Sequence, residues 1–389
     1  MSRLEELIQE LCPNGVEWQN LESVCKQIFA GGTPNTAISE YYDGDIPWIR
    51  SGEINFNIIK KSERCITELG YRNSSAKLIE AQSVVMAMTG ATVAKSAIVD
   101  IELTANQSVC ALVPLRKVLN YKFLYYCLSN MYNDLKSKGQ GALTSLNLKM
   151  IKEVRIPVPP MEVQCEIVHL LDQFTLLTAE LTAELIARKQ QYEYYSNYLF
   201  DLAKKNKTIY IKDCCSVIKG KSPIQKTEPG EFPMVVTTSE RKTSKEYQFD
   251  SKSVCIPLIS SRGHGVASLN HVYYQEGKFA LGNILCAVTP NNYNEVCSKY
   301  LYYYFELTKD YTLVPLMKGG ANVAMHLTDV QNVKIPLPPL EEQQRIVDIL
   351  DKFDAYCNDL TQGLPAEIEL RKQQYEYYRD KLLSFKELK

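Results

Sequence analysis

The feature of this sequence that most constrains its fold is an internal repeat. The segment at 156–174, IPVPPMEVQCEIVHLLDQF, recurs at 335–353 as IPLPPLEEQQRIVDILDKF, with 11 identities in 19 positions. The octapeptide RKQQYEYY at 188–195 recurs unchanged at 371–378. A variable block precedes each copy of the proline motif. Because the same order of motifs is present twice, the chain is expected to fold as two related halves.

The segments that follow the two proline motifs have the periodicity of long helices. The prolines favour an extended entry, and apolar residues then recur every three or four positions in a heptad-like pattern. The second copy carries four extra residues around 361–365, where Gly363 and Pro365 predict a break or a kink. A helix with one apolar stripe needs a partner. An antiparallel pair of the two helices is therefore favoured over packing of each helix on its own block.

The residues of these stripes are predicted to pair the helices or to dock partner subunits. The tyrosines of the octapeptide follow the same stripe, which favours helix packing over base stacking as their role. The predicted pairing and docking residues are Leu171, Phe174, Leu181, Leu185, Tyr192, Tyr195, Leu350, Phe353, Leu360, Tyr375 and Tyr378.

The two variable blocks have a different pattern. Short runs rich in Val, Ile, Thr and Phe alternate with Gly and polar turns, which predicts strands. A short aromatic helix is predicted near the end of each block. The strands are expected within 83–101, 109–115, 232–238 and 279–290, and the aromatic helices at 120–136 and 297–311.

The predicted fold class is mixed α/β, with two globular domains, two long antiparallel helices as a coiled-coil spacer and a pseudo-two-fold internal duplication. The expected segments are an N-terminal helix at 1–15, globular domains at 16–155 and 206–334, and helical spacers at 156–205 and 335–389.

The formal net charge of −1 conceals an uneven distribution. Block 16–155 has 16 basic and 13 acidic residues, and block 206–334 has 15 and 11. The helical regions 156–205 and 335–389 each have three more acidic than basic residues. Two modestly basic domains joined by acidic helices suit nucleic-acid binding, although an excess of this size is also compatible with no charged ligand.

Composition argues against several other classes of protein. No apolar run reaches the roughly 18–20 residues that a membrane helix needs, and the N-terminal segment lacks the basic and apolar regions of a signal peptide. The 12 cysteines include no CxxC pair and the 4 histidines are scattered, so neither a disulfide framework nor a metal site is expected. These features predict reduced cysteines and a cytoplasmic location.

Signatures of catalysis are weak. The segment KGKS at 219–222 is similar to the end of a phosphate loop, but the first glycine that such a loop needs is absent, so a basic turn is the better interpretation. The sequence has no NPPF/Y-like tetrapeptide and no Gly-rich cofactor loop of an adenine methyltransferase. Three ExK triplets, at 240–242, 276–278 and 387–389, have no obvious partner aspartate of the kind a nuclease needs. Intrinsic catalysis is therefore not expected.

Four features of the chain resemble the specificity subunits of type I restriction–modification systems. The first is LCPNGVEW at 11–18, and the second is GGTPN at 31–35 followed by YYDGDIPWIRSGEI at 41–54. The others are the duplicated IPxPP…EQ…IV…LD…F signature and the repeated RKQQYEYY. The resemblance covers essentially the whole chain, and the duplicated architecture is far more specific than any single motif.

The resemblance implies a DNA-binding subunit without catalysis of its own. In this family each of two target-recognition domains recognises one half of a bipartite, asymmetric DNA site. Two long antiparallel helices set the distance between the half-sites and dock two modification subunits. S-adenosylmethionine is expected in the modification subunits, and ATP and Mg in the restriction subunits, so this chain is expected to bind no cofactor and no metal. From the residues alone, a protein scaffold that does not bind DNA stays open as the alternative.

The resemblance places the DNA contacts in loops of the two variable blocks. Arg, Asn and Gln side chains can form paired hydrogen bonds with base edges, whereas Lys mainly contacts phosphate. For any one of these residues, a solvated loop position is the alternative. The candidates in the first block are Arg50, Ser51, Glu53, Thr89, Lys95, Asn106, Gln107, Lys138, Gln140, Thr144, Ser145 and Asn147. Those in the second block are Thr237, Ser239, Arg241, Lys242, Arg262, His264, Lys318 and Asn322.

Overall fold

The computed structural model describes residues 3–139, 145–238, 240, 242–262, 265–359 and 361–388. Internal contacts divide the chain into two units. Unit 1 comprises Met1–Glu180 and Ile368–Lys389, and unit 2 comprises Leu181–Glu367. Each unit therefore contains one variable block and one proline motif, as the repeat predicts.

The helices differ greatly in length. Most are short, but α7 is one continuous helix of 43 residues, of which 161–180 belong to unit 1 and 181–203 to unit 2. The helices of the described residues are α1 (Arg3–Leu11), α2 (Leu21–Val24), α3 (Glu68–Arg72), α4 (Tyr121–Asn130), α5 (Tyr132–Ser137), α6 (Leu148–Lys152), α7 (Met161–Ala203), α8 (Ile211–Cys214), α9 (Ser298–Thr312), α10 (Leu327–Gln331), α11 (Leu340–Asn358) and α12 (Leu364–Leu383).

The predicted break in the second long helix is confirmed, since it is divided into α11 and α12. Asp359 stops α11, because its carboxylate accepts hydrogen bonds from the amides of Thr361 and Gln362 at 2.7 and 3.2 Å. Gly363 packs so tightly that an added Cβ would lie 2.7 Å from the carbonyl oxygen of Ala355. The four-residue insertion thus forms a tight turn that only a glycine allows.

In unit 1, a five-stranded sheet in the order β2-β9-β6-β7-β4 and a three-stranded sheet in the order β5-β3-β8 accompany the pair β1-β10. The strands are β1 (Glu17–Asn20), β2 (Cys25–Ala30), β3 (Tyr42–Ile49), β4 (Ile58–Ile59), β5 (Arg64–Ile66), β6 (Ser83–Ala87), β7 (Ser96–Val99), β8 (Thr104–Ala105), β9 (Val109–Pro114) and β10 (Arg155–Val158).

In unit 2, two four-stranded sheets, in the orders β12-β19-β16-β17 and β14-β13-β18-β15, accompany the pair β11-β20. The strands are β11 (Thr208–Tyr210), β12 (Cys215–Lys219), β13 (Phe232–Val235), β14 (Lys242–Ser244), β15 (Phe249–Asp250), β16 (Ser253–Pro257), β17 (Tyr273–Gln275), β18 (Lys278–Leu281), β19 (Leu285–Pro290) and β20 (Lys334–Pro336).

The two units share a framework around the proline motif. The first residues of the motif lie in the second strand of an antiparallel pair, which is β1-β10 in unit 1 and β11-β20 in unit 2. One hydrophobic core in each unit joins the sheet, the aromatic helix and the start of the long helix, with Phe123 and Ile167 in unit 1 and Tyr300 and Ile346 in unit 2. The predicted strands and aromatic helices are confirmed, as β6, β7, β9, β13, β18 and β19, and as α4 with α5 and α9.

The long helices pair within each unit, as the stripes predict. In unit 2 the ring of Tyr192 on α7 lies 6.0 Å from that of Phe353 on α11, and Tyr356 donates to Glu184 at 3.3 Å. Residue numbers fall on α7 as they rise on α11, so the pair is antiparallel. In unit 1 Phe174 of α7 stacks on Tyr378 of α12 at 5.4 Å. The alternative packing also occurs, because the first turns of α7 and α11 contribute to their own cores.

Two expectations about chain chemistry can be compared with the structure. All 12 cysteines are free, and 9 of them are buried as small apolar side chains, whereas Cys65 and Cys297 are half-buried and Cys165 is exposed. No helix in the described part of the chain is long and apolar enough to cross a membrane.

Candidate nucleic-acid interface

A buried glutamine holds the proline motif in each unit. In unit 1 the side chain of Gln164 accepts a hydrogen bond from the amide of Asn120 at 2.8 Å and donates to the carbonyls of Val118 and Pro159, both at 2.8 Å. The side chain is fully buried, so these three bonds satisfy groups that water cannot reach. The network fixes the start of α7 to the start of α4.

Unit 2 repeats this network at the equivalent glutamine. The side chain of Gln343 accepts from the amide of Cys297 at 2.8 Å and donates to the carbonyls of Glu295 and Pro338 at 2.9 and 2.8 Å. This glutamine is the Q of the duplicated signature. The repeated sequence therefore encodes a specific hydrogen-bond network as well as a helix.

About two turns further along, an aspartate on the long helix joins two residues of the aromatic helix. In unit 1 Asp172 accepts from Lys122 at 2.5 Å and from Tyr126 at 2.7 Å. Burial and the hydrogen bond to Asp172 raise the pKa of Tyr126. Burial alone would lower the pKa of Lys122, but the hydrogen bond and charge of Asp172 outweigh it and raise that pKa. The triad fixes the second contact between the two helices.

Unit 2 has the same triad. Asp351 accepts from Lys299 at 2.7 Å and from Tyr303 at 2.6 Å. Burial and the hydrogen bond to Asp351 raise the pKa of Tyr303. Both units thus hold their variable loops on the same rigid support.

The loops of unit 1 that contain most candidates converge at one end of its sheets. β2 and β6 both end beside the start of β9, and the parallel strands β3 and β8 end side by side. The segments that leave these ends form a surface that we call loop surface 1. It comprises 30–34, 50–57, 88–95, 106–108 and 145–147.

Backbone hydrogen bonds join the segments of loop surface 1. The amide of Gly31 donates to Val109 at 3.0 Å, and that of Asn106 to Ile49 at 2.9 Å. The amide of Leu146 donates to Met88 at 2.8 Å. The structure therefore brings together candidates that are up to about 100 positions apart in the sequence.

Several candidates on loop surface 1 support the loop itself. Arg50 forms an ion pair with Glu63 at 2.6 Å, and its backbone amide donates to the Glu53 carboxylate at 2.8 Å. The carbonyl of Ser51 accepts from Thr92 at 2.7 Å. Arg50 and Glu53 therefore have a structural role in this loop, because their hydrogen bonds hold the loop rigid.

The other candidates of unit 1 differ in accessibility. Lys95 donates to Asn55 at 2.7 Å, the Asn106 side chain accepts from the amide of Ser108 at 3.2 Å, and the Asn147 side chain caps α6 by accepting from Met150 at 2.9 Å. Gln107 is exposed and accepts a hydrogen bond from Thr33. Thr89 and Ser145 are half-buried, and Lys138 is exposed at the end of α5.

Unit 2 has an equivalent surface. β12 and β16 end beside the start of β19, and the parallel strands β13 and β18 end together. We call the described residues of the segments that follow loop surface 2. They lie within 219–224, 236–242, 258–268, 282–284 and 318–324.

The segments of loop surface 2 that follow β16 form a paired set of loops. Ser260 organises the first loop, because its hydroxyl accepts from the amides of Arg262 and Ser268 at 3.2 and 3.1 Å. The amide of Ser260 donates to Val323 at 2.9 Å, which joins this loop to the hairpin around Lys318. Arg262, Lys318 and Asn322 are therefore neighbours in two joined, exposed loops.

The remaining described candidates of unit 2 lie on the β13–β14 hairpin. Thr237 is exposed, and the ammonium of Lys242 lies 3.4 Å from the carbonyl of Ile224. That contact joins the hairpin to the turn that follows β12. Gln140, Thr144, Ser239, Arg241, His264 and the helix candidate Leu360 lie outside the described residues.

The chain is similar to one family of known proteins over most of its length. The family model for the type I restriction modification DNA specificity domain matches the chain twice, at residues 13–188 and 203–370. Together the two matches cover most of the chain.

The chain belongs to the family of type I restriction–modification specificity subunits. The resemblance predicted from the duplicated motifs is confirmed, and DNA recognition is the role of such a subunit. Specificity subunits are not catalytic, and the alternative of a scaffold that does not bind DNA is not supported by these matches.

Individual relatives match over most of their length. The specificity subunit of EcoR124I/EcoR124II from Escherichia coli is 32% identical over 346 residues, which are 82% of this chain and 84% of that protein. A putative specificity subunit from Haemophilus influenzae is 33% identical over 298 residues, 69% of this chain and 74% of that protein.

Solved structures of specificity subunits have the same fold. The HsdS subunit from Thermoanaerobacter tengcongensis has a TM-score of 0.55 at 19% identity and covers 96% of this chain and 97% of its own. The S subunit from M. genitalium has a TM-score of 0.53 at 17% identity, with 95% of each chain covered. The mixed fold with two long helices, which the repeat predicted, is confirmed.

The long helices of this specificity subunit leave part of their aromatic stripe exposed. Leu171 and Leu350 are buried, whereas Phe174, Leu181, Leu185, Tyr192, Phe353 and Tyr375 are half-buried. Tyr195 and Tyr378 remain 45% and 39% exposed although their rings contact the partner helix. Their neighbours Tyr194 and Tyr377 are 66% and 62% exposed.

The candidates chosen from the sequence did not include Lys219 and Lys221, the two exposed lysines of the KGKS segment of this specificity subunit. Gly220 donates to Leu285 at 2.9 Å, as Gly31 of GGTP donates to Val109. The segment GKSP is therefore the counterpart of GGTP, and an alignment of the blocks on their glycine and proline would have found it. The basic-turn interpretation of this segment fits its structure. No cluster of His, Cys, Asp and Glu that could hold a metal lies among the described residues.

Proposed function

We propose that each loop surface recognises one half of a bipartite, asymmetric DNA site. One observation carries the proposal: the same framework presents two surfaces of polar loops at equivalent sheet ends, and the loop residues differ between them. Two different surfaces on one repeated support suit two different half-sites. We take the recognition domains to be 16–155 and 206–334.

Base contacts are proposed for the exposed donors and acceptors of the two surfaces. On loop surface 2 these are Arg262 and Asn322, and on loop surface 1 Gln107, with Arg50 after release from its ion pair. Arg pairs with guanine, and Asn and Gln pair with adenine, through two hydrogen bonds each. Lys95, Lys242 and Lys318 are better suited to phosphate.

The helical regions 156–205 and 335–389 are proposed to set the spacing of the half-sites. A helix of 43 residues extends about 65 Å at 1.5 Å per residue, which exceeds the roughly 35 Å of one DNA turn. The exposed tyrosines of the octapeptide repeats would dock two modification subunits, one for each repeat. We place S-adenosylmethionine in those subunits, ATP and Mg in restriction subunits, and the assembly in the cytoplasm.

The proposal can be tested by reconstituting the chain with its modification subunits and sequencing the methylated sites. A split motif is expected, with two fixed half-sites and a spacer of constant length. Sites without a split motif, or methylation that is independent of sequence, would contradict the proposal.

A second experiment tests the role of the helices. Insertion of four residues, about one helical turn, within α7 should lengthen the spacer and leave both half-sites unchanged. The matched control is a four-residue insertion between Thr361 and Gln362, two exposed residues that lie between α11 and α12. A changed half-site after the insertion in α7 would rule out the spacing role.

A further inference from the structure

The turn after β12 presents two lysines that no mechanism described above uses. Lys219 and Lys221 are both exposed and flank the buried Gly220. Among the described residues, no carboxylate lies within 4 Å of either ammonium group. Both lysines belong to loop surface 2.

A glutamine fixes the backbone between the two lysines. The side chain of Gln248 accepts from the amide of Lys221 and donates to the carbonyl of Lys219, both at 2.9 Å. Gly220 is pinned from the other side by its bond to Leu285 and by close contact with the carbonyl of Gly282. The side chains of Lys219 and Lys221 therefore extend from a rigid turn. Because the turn is rigid, little backbone entropy is lost when both ammonium groups bind one ligand.

A third ammonium group lies beside the same turn. Lys242 contacts the carbonyl of Ile224, two residues after Ser222. Three amines on neighbouring backbone, without a carboxylate partner among the described residues, attract a ligand with several negative charges. On a surface proposed to contact DNA, successive phosphates of one strand fit this description.

The equivalent turn of unit 1 is built without these charges. Ala30 and Gly32 stand where unit 2 has Lys219 and Lys221. Gly32 has no space for a side chain, because an added Cβ would collide with the backbone of Ser75. The same turn is thus neutral in one unit and dibasic in the other.

We propose that Lys219 and Lys221, positioned by Gln248, form a binding site for the DNA phosphate backbone that unit 2 has and unit 1 lacks. The inference rests on the proposed function and deepens it. At this turn, electrostatic binding of DNA is therefore unequal between the two halves of the subunit, because unit 2 adds two phosphate contacts that unit 1 lacks.

The test is the affinity of the reconstituted subunit complex for target and random duplex DNA across a range of salt. In K219A/K221A, the slope of log affinity against log salt should fall by about 1.8, because each lost phosphate contact removes roughly 0.9. Target and random DNA should weaken by the same factor, and the methylated motif should not change. K219R/K221R should retain the slope, and K245A, an exposed lysine paired with Glu228, should also retain it.

Q248A separates positioning from charge. Both cations remain in this variant, so the slope should stay while the affinity falls by roughly threefold. An unchanged slope in K219A/K221A would overturn the inference, as would a changed methylated motif. If the wild-type complex shows neither DNA binding nor a split motif, the proposed function itself fails, which is a different result.

Discussion

Loop surfaces 1 and 2 stand on the same framework but differ in how their cations are used. On loop surface 1, Arg50 is paired with Glu63 and Lys95 donates to Asn55. On loop surface 2, Lys219, Lys221 and Arg262 are exposed and have no carboxylate within 4 Å among the described residues. The shared framework thus stabilises both units. The loops can therefore differ in binding chemistry while the framework stays the same.

The framework can be tested by removing its buried glutamine from each unit. Gln164→Ala leaves one amide and two carbonyls without partners and should destabilise unit 1 by about 3 kcal/mol or more. Gln343→Ala should have the same effect on unit 2, because its three bonds are equivalent.

Two measurements separate the effects on the two units. Both tryptophans, Trp18 and Trp48, lie in unit 1, so their fluorescence during urea unfolding should report Gln164→Ala. Hydrogen exchange of the β11–β20 amides should report Gln343→Ala. An effect in one unit and none in the other would show that the frameworks are not equivalent.

The glycine turns provide the next largest expected effect. A methyl group at Gly31 or Gly220 would collide with a backbone carbonyl, of Ala105 or Gly282 respectively. Each Gly→Ala variant should cost about 1–3 kcal/mol, measured as a shift of the thermal or urea midpoint. Gly52→Ala is the matched control, because no atom lies within 4 Å of its added Cβ. Equal stability of all three variants would show that the backbone does not pack closely against Gly31 and Gly220.

Much of this framework could be predicted from the sequence, because it is encoded by repeated residues. The two aromatic helices, the long helices and the break at Gly363 follow from periodicity, proline and glycine. The bonds that join Gln164 to Asn120 and Val118 could not be predicted, since these two partners are backbone groups more than 40 positions away. Repetition indicated that the position matters but not what it contacts.

The loop surfaces were less predictable. The candidate loops were chosen from the sequence, and strand topology brings Arg50, Lys95 and Asn106 to one sheet end. The sequence alone could not distinguish Arg50, which forms an ion pair with Glu63, from Arg262, which has no such partner among the described residues. Lys219 and Lys221 were missed because KGKS was compared with phosphate loops rather than with GGTP of the other block.

Arginine variants sharpen the difference between the two surfaces. Arg262→Ala should weaken binding of one half-site by about 1–3 kcal/mol and relax the sequence preference there, with no change in stability. Arg50→Ala should also loosen its loop, because it removes the 2.6 Å contact with Glu63. Binding to half-site variants and the unfolding midpoint are the two measurements. Unchanged affinity and preference in Arg262→Ala would remove this residue from the interface.

The smallest expected effect concerns the Lys–Tyr–Asp triads and alkaline pH. Burial and the bond to Asp172 raise the pKa of Tyr126 above its unfolded value of about 10. The folded state keeps its proton where the unfolded chain has lost it. This contribution is therefore fully present below about pH 10 and is lost as the pH rises toward the raised folded pKa.

Tyr126→Phe should cost about 1 kcal/mol at neutral pH, because one hydrogen bond is lost. Above pH 10 the stability of the variant should fall less steeply than that of the wild type, by about 1.4 kcal/mol per pH unit. Tyr303→Phe should behave in the same way through Asp351, since the pKa of Tyr303 is raised by the same two causes. Urea unfolding between pH 8 and about 11 measures both, with Tyr377→Phe as an exposed control. If the free energy of unfolding has the same pH dependence in Tyr126→Phe and the wild type, the fold does not raise the pKa of this hydroxyl. A difference from the wild type in only one of Tyr126→Phe and Tyr303→Phe would show that the two triads are not equivalent.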